Sequence, residues 1–130
     1  KYHWKSVLET IQEHPVLFGT GSGSSRDFLF GRYRHYRLTS AYELNYNAHN
    51  QFLEYMLDFG VLGLLAFLCM LGYLYSRLVK DKNGLGLSML AVFTIYFITE
   101  SVFSSQAGVV TFAIVMSVLM AYNPNKEDLV

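Results

Sequence analysis

One cysteine and two prolines stand among 130 residues, and ten basic side chains are matched by ten acidic ones. The single thiol, Cys69, excludes an internal disulfide and a cysteine-based zinc site, and its place inside an apolar run gives it a packing role. Zero formal net charge removes the bulk electrostatic support that nucleic-acid binding needs, so no such partner is expected. The four histidines, His3, His14, His35 and His49, lack paired ligand spacing, so neither a metal nor any other cofactor is expected. What the chain has in abundance is apolar surface, with 52% hydrophobic and 16% aromatic residues.

That surface is concentrated in three runs: Val61 to Tyr75, broken only by Gly63 and Gly72, then Leu85 to about Phe103, then Ala107 to Tyr122. At about 1.5 Å per residue, each is roughly long enough to cross most of a 30 Å hydrocarbon layer. A buried soluble helix can look the same, but three in succession argue for a membrane protein. The expected fold is all-α: a polytopic membrane protein fragment with transmembrane helices at about 60–79, 85–103 and 107–122. Residues 1–59 form a helical to irregular periplasmic loop region, and 123–130 a cytoplasmic tail. The orientation comes from the connector Ser76 to Gly84, which holds Arg77, Lys80 and Lys82 against Asp81, because short basic loops stay in the cytoplasm. Lys1, Lys5, Arg26, Arg32, Arg34 and Arg37 argue the other way, but long loops weigh little in that rule. Three spans are too few to enclose a polar site, and Lys1 follows neither Met nor a cleavable signal. The chain therefore reads as the C-terminal portion of a larger polytopic protein, with the preceding membrane helices as its partners.

Ahead of the first run, Trp4, Val7, Leu8 and Ile11 repeat at helical spacing and stop before Pro15, which predicts a short amphipathic helix lying on the membrane or packed on the protein. Phe18 to Ser25 is a glycine-serine run able to take tight turns. Gly19, Gly21 and Ser24 approximate a dinucleotide fingerprint, but the flanking strand and helix of a βαβ unit are missing, which leaves a flexible linker or an anion-binding backbone nest. Residues 26–47 mix Arg and Tyr with little periodicity and read as irregular loop. Asn47 is a plausible N-cap for a helix starting near Ala48.

Four groups of residues can carry chemistry. Arg26 to Arg37, RDFLFGRYRHYR, holds four arginines whose planar forks suit phosphate oxygens; Arg32 and Arg34 follow Gly31, and Arg37 completes the set. The competing reading is a solvated loop touching lipid head groups. His49 falls on the helix face of Phe52, Leu53 and Met56, either as an interfacial residue or as a neutral imidazole able to accept a hydroxyl proton. Asn50, Glu54 and Asp58 form the adjacent polar stripe. Glu100, at the end of the second run, is either a wet interfacial residue or a group facing a polar cavity.

In order, His14-Pro15-Val16-Leu17-Phe18-Gly19-Thr20-Gly21-Ser22-Gly23, then His49-Asn50-Gln51-Phe52-Leu53-Glu54 and Phe59-Gly60-Val61-Leu62-Gly63-Leu64, resemble the O-antigen ligase and polymerase superfamily. The resemblance implies a bacterial inner-membrane glycosyltransferase that moves a glycan from an undecaprenyl pyrophosphate carrier to an acceptor hydroxyl, without nucleotide sugar or metal. The acceptor would be lipid A–core for a ligase, a glycan for a polymerase, or a protein for an O-oligosaccharyltransferase. His49 matches the family's catalytic histidine, Arg32, Arg34 and Arg37 are candidates for its pyrophosphate-binding arginines, and Asn50, Glu54 and Glu100 would complete the substrate site. A transporter or flippase fragment for a lipid-linked glycan is the alternative from another class.

Overall fold

The first helix, α1 (Tyr2–Glu13), ends ahead of Pro15 as its spacing predicts. Val7 and Ile11 are buried, but Trp4 and Leu8 are each 48% exposed, so the helix packs by the edge that carries Ser6, Val7, Thr10 and Ile11. The buried Thr10 hydroxyl is satisfied locally, donating to the Ser6 carbonyl at 2.8 Å. The computed structural model describes residues 2–122, and the expected cytoplasmic tail, 123–130, lies outside the described residues.

The segment expected to be irregular is largely helical. It forms α2 (Ser25–His35) and α3 (Thr39–Glu43). Ser25, Leu29 and Tyr33 recur every four residues and give α2 one buried face, while the arginines take up the others. Leu29 and Tyr33 join Val7, Ile11, Ala41, Ala48 and Leu57 in one apolar core that binds α1, α2 and α3 to the start of the next helix.

That helix, α4 (Gln51–Lys80), is 30 residues long and alone among the described helices is long and apolar enough to cross a membrane. It absorbs Ser76 to Lys80, expected in the connector, and leaves only residues 81–83 as the turn. It is capped by Asn50, whose side chain accepts from Leu53 N at 3.0 Å, rather than by Asn47. The cap moves because His49 takes a left-handed φ of 46°, which no helical residue can hold. α5 (Gly84–Thr99) and α6 (Gln106–Ala121) are 16 residues each. At about 1.5 Å per residue they reach roughly 24 Å, short of a 30 Å layer. Residues 100–103, expected to finish the second run, instead belong to a turn that runs through a short 3-10 helix at Val102–Ser104.

α5 packs on α4 and α6. Phe67, Phe97 and Phe112 form the centre of this second core, with Tyr55 stacked on Phe67 at 4.7 Å. At its far end, Asn83 is 1% exposed and caps α5 by accepting from Gly86 N at 2.8 Å. Its Nδ2 donates to the Leu119 carbonyl at 2.7 Å and the Tyr122 carbonyl at 3.1 Å, tying the start of α5 to the end of α6.

α4 is interrupted once, at Gly60 (φ 66°, ψ −159°). In an unbroken helix Val61 N would donate to Leu57 O and Leu62 N to Asp58 O. Here Val61 N donates to Val16 O at 2.9 Å and Leu62 N to Leu17 O at 3.3 Å, while Leu57 O accepts from Thr20 N and Asp58 O from Gly21 N, both at 2.8 Å. The glycine-rich segment is thus inserted into the helix and replaces both ladder bonds that the break removes. Four such groups left buried and unmade would cost about 4–12 kcal/mol, comparable to the whole net stability of a domain. The segment is not a flexible linker, and the Thr20 and Gly21 amides, committed to α4, cannot serve an anion-binding nest.

Candidate functional site

The site assembles where the N-terminus of α4 meets the turn after α5. Asn47 does not cap the helix; its Oδ1 accepts from His49 N at 3.0 Å and holds the tight turn that gives His49 its positive φ. His49 therefore stands before the helix, not on the expected face with Phe52, Leu53 and Met56. Its Nδ1 lies 3.0 Å from Glu100 Oε2, and its ring meets Tyr46 edge-on at 5.0 Å.

The next residue stitches the two segments together. Asn50 N donates to Ser101 Oγ at 3.2 Å, and Asn50 Nδ2 to the Ile98 carbonyl at 3.0 Å. Gln51, almost wholly buried, accepts from Phe103 N at 2.6 Å. Glu54 is also buried; its Oε2 accepts from Ala48 N at 2.9 Å and from Ser101 Oγ at 3.2 Å. A buried carboxylate needs such donors, and here they close the turn onto the helix start. Tyr33 lies close enough for the Glu54 charge to act on it: burial first, and that charge second, push its phenol above the ordinary range.

A cavity of about 850 Å³ opens beside this junction. Ser22, Ser25, Arg26, Gln51, Glu54 and Asp58 line its polar part, and α4 and α6 contribute an apolar wall through residues such as Met70, Leu74, Ala113 and Met116. One oxygen of Asp58, Oδ1, is buried in the junction without a hydrogen-bond partner among the described residues.

His49, Asn50, Glu54 and Glu100 are thus brought together, but of the three arginines expected with them two are engaged by other side chains and none lines the cavity. Arg32 pairs with Glu9 at 3.9 Å and with Glu13, docking α2 on α1. Arg34 lies over the Tyr42 ring at 4.4 Å and donates to its hydroxyl. Arg37 is exposed at the turn after α2 with φ 53°. Arg26, passed over in the sequence in favour of Arg32 and Arg34, is the arginine that lines the cavity. Its signal was its position in the first turn after the glycine segment, which α4 anchors. Gln51 and Ser101 were missed as well, since nothing in their spacing marks a contact between residues about fifty positions apart.

A family model described as O-antigen ligase matches residues 1–68. The chain belongs to the O-antigen ligase family. The match takes in the inserted glycine segment, α2 and α3, His49 to Glu54 and the Gly60 break, so the family's pattern in this chain coincides with the first core and half of the site. Glu100 and the turn that carries it lie beyond the matched residues. No curated protein and no solved structure matches the chain.

Proposed function

We propose that this O-antigen ligase family member is a membrane glycosyltransferase that moves a glycan from an undecaprenyl pyrophosphate carrier to an acceptor hydroxyl, with lipid A–core as the acceptor. The observation that carries this reading is a histidine fixed by Asn47 and Glu100 just ahead of α4, whose first turn, through Gln51 and Glu54, lines a cavity that is polar at one end and apolar at the other. The acceptor oxygen attacks the anomeric carbon, the bond from that carbon to the pyrophosphate oxygen breaks, and undecaprenyl pyrophosphate leaves. His49 takes the proton of the attacking hydroxyl, as a base within hydrogen-bond reach can do.

The diphosphate leaving group calls for a cation in a region of low dielectric, where charge stabilisation exceeds that in water. Arg26 is the arginine best placed to serve it. Arg32 already faces two carboxylates, and Arg34 is engaged by Tyr42. Asn50 and Glu54 shape the floor of the site and the α4–α6 wall accommodates the prenyl chain. In this reading α4, α5 and α6 all span the inner membrane, with α5 and α6 locally thinning the layer or leaning on flanking turns, and residues 1–59 face the periplasm.

The test is the surface glycan of the native host carrying His49→Ala, with insertion of the protein confirmed in parallel and carrier release measured in purified membranes. Loss of glycan from lipid A–core together with loss of undecaprenyl pyrophosphate release supports a ligase. Core bearing a single repeat points to a polymerase, and loss of protein-linked glycan alone to a protein glycosyltransferase. Glycan attachment and carrier release at wild-type levels would overturn the reading, and movement of donor with its linkage intact would make the protein a transporter.

A further inference from the structure

We infer that Glu100 is the positioning residue for His49, holding the imidazole in the one tautomer that can act as a base toward the acceptor hydroxyl. The inference rests on the transferase reading and deepens it, replacing a substrate-binding role for Glu100 with one exercised through the histidine.

The contact is direct: Glu100 Oε2 stands 3.0 Å from His49 Nδ1. An ionised carboxylate only accepts hydrogen bonds, so the ring hydrogen lies on Nδ1 and the lone pair of the neutral ring is on Nε2. The same division of labour, an orienting carboxylate and a basic imidazole, recurs on unrelated hydrolase folds.

The pair is held from outside itself. Asn50, next to His49, bonds Ile98 O and Ser101 Oγ, which bracket Glu100 on both sides. Ser101 Oγ in turn donates to Glu54 Oε2, and Asn47 and Tyr46 hold the His49 backbone and ring. The separation of imidazole and carboxylate is therefore dictated by neighbouring backbone and not by their mutual attraction, which is what precise orientation requires. The two side chains are 35% and 42% exposed, a setting in which one hydrogen bond adds little to stability. A left-handed backbone at a non-glycine residue, maintained by this many bonds around one half-exposed contact, is more readily accounted for by orientation than by folding.

The decisive experiment compares Glu100→Gln, Glu100→Ala and His49→Ala in the membrane-embedded protein, supplied with a lipid-linked glycan donor. Steady-state kinetics, melting temperature and the ¹⁵N spectrum of histidine-labelled protein are read for each, with the His49 signal identified by its disappearance in His49→Ala. Glu100→Gln keeps the size of the side chain but can present its amide N–H to Nδ1, which favours the opposite tautomer. The expected result is a fall in kcat of about 10- to 100-fold with donor KM nearly unchanged, an unaltered melting temperature, and transfer of the His49 proton from Nδ1 to Nε2. Wild-type kcat in Glu100→Gln and Glu100→Ala, or lost kcat with the tautomer unchanged, would overturn the positioning role while an inactive His49→Ala leaves the transferase reading standing. An active His49→Ala would sink both.

Discussion

The backbones of Gly19 and Gly60 touch: a Cβ built on either residue would sit 2.5 Å from the amide nitrogen of the other, and both hold a positive φ, of 71° and 66°. Any side chain at either position must push the inserted segment out of α4 and take up a left-handed backbone as well. Gly19→Ala and Gly60→Ala are each expected to cost about 3 kcal/mol or more, from strain and from weakened backbone bonds. Gly72→Ala, where a Cβ meets nothing within 4 Å, serves as the control and should be neutral or slightly stabilising. Melting of the three variants in detergent checks the contrast; equal melting temperatures would show that the segment does not depend on this crossing.

The arginines of α2 should separate into two classes. Arg26→Ala is expected to raise the KM for the lipid-linked donor about tenfold or more, the loss of one charge-assisted bond to a phosphate oxygen. Arg34→Ala should leave KM within about twofold, since a solvent-exposed contact is worth little, and Arg32→Ala should loosen α1 from α2 before it alters catalysis. Donor titrations on the three variants decide the matter, and a KM effect confined to Arg32 or Arg34 would return the phosphate site to them.

Asn83 caps α5 and holds two carbonyls at the end of α6 with one side chain. Asn83→Ala is expected to destabilise the α5–α6 pair by about 2–4 kcal/mol, one lost cap plus buried carbonyls left unmade. Because it lies at the opposite end of the bundle from His49, the variant should keep its kcat at temperatures well below its lowered melting point. A melting scan and one activity measurement test both halves of that statement.

Docking of α1 should weaken in acid. The Tyr36 hydroxyl, which donates to Glu9 at 2.7 and 2.8 Å, together with the charges of Lys5 and Arg32, holds the Glu9 carboxyl below its ordinary 4.5. A lowered folded-state value means that this contribution is complete above 4.5 and is lost as pH falls through the folded-state value. Protease cleavage of α1 should therefore increase only at pH below the ordinary carboxylate range, and Glu9→Gln should show the increase already at neutral pH.

Elements with a clean period could be read from the sequence. The 3.6-residue repeat of Val7 and Ile11 and the three apolar runs gave α1, α4, α5 and α6 nearly in place. α2 was hidden because Arg, Asp, Phe and Gly fill the positions between Ser25, Leu29 and Tyr33, so its four-residue spacing is visible only once the burial of those three is known. The cap of α4 was misplaced by three residues because Asn47 and Asn50 are equally good caps by type, and only the left-handed turn at His49 chooses between them. His49 stands out in its motif as a candidate. Its partner does not, because 51 residues separate it from Glu100 and no local rule links them. The ion pairs of Arg32 were hidden for a related reason: guanidinium groups suit phosphates and carboxylates alike, and Glu9 and Glu13 lie on another helix.

The insertion at Gly60 also fixes a height. Segment 16–21 is clamped to α4 by backbone bonds on both sides of the break, so it cannot slide along the helix axis without losing all of them. The nine residues Gln51–Phe59 above that clamp measure about 14 Å. They form a rigid post with the apolar stretch at its foot and the histidine at its top, so the chain carries its own ruler for the distance between the two.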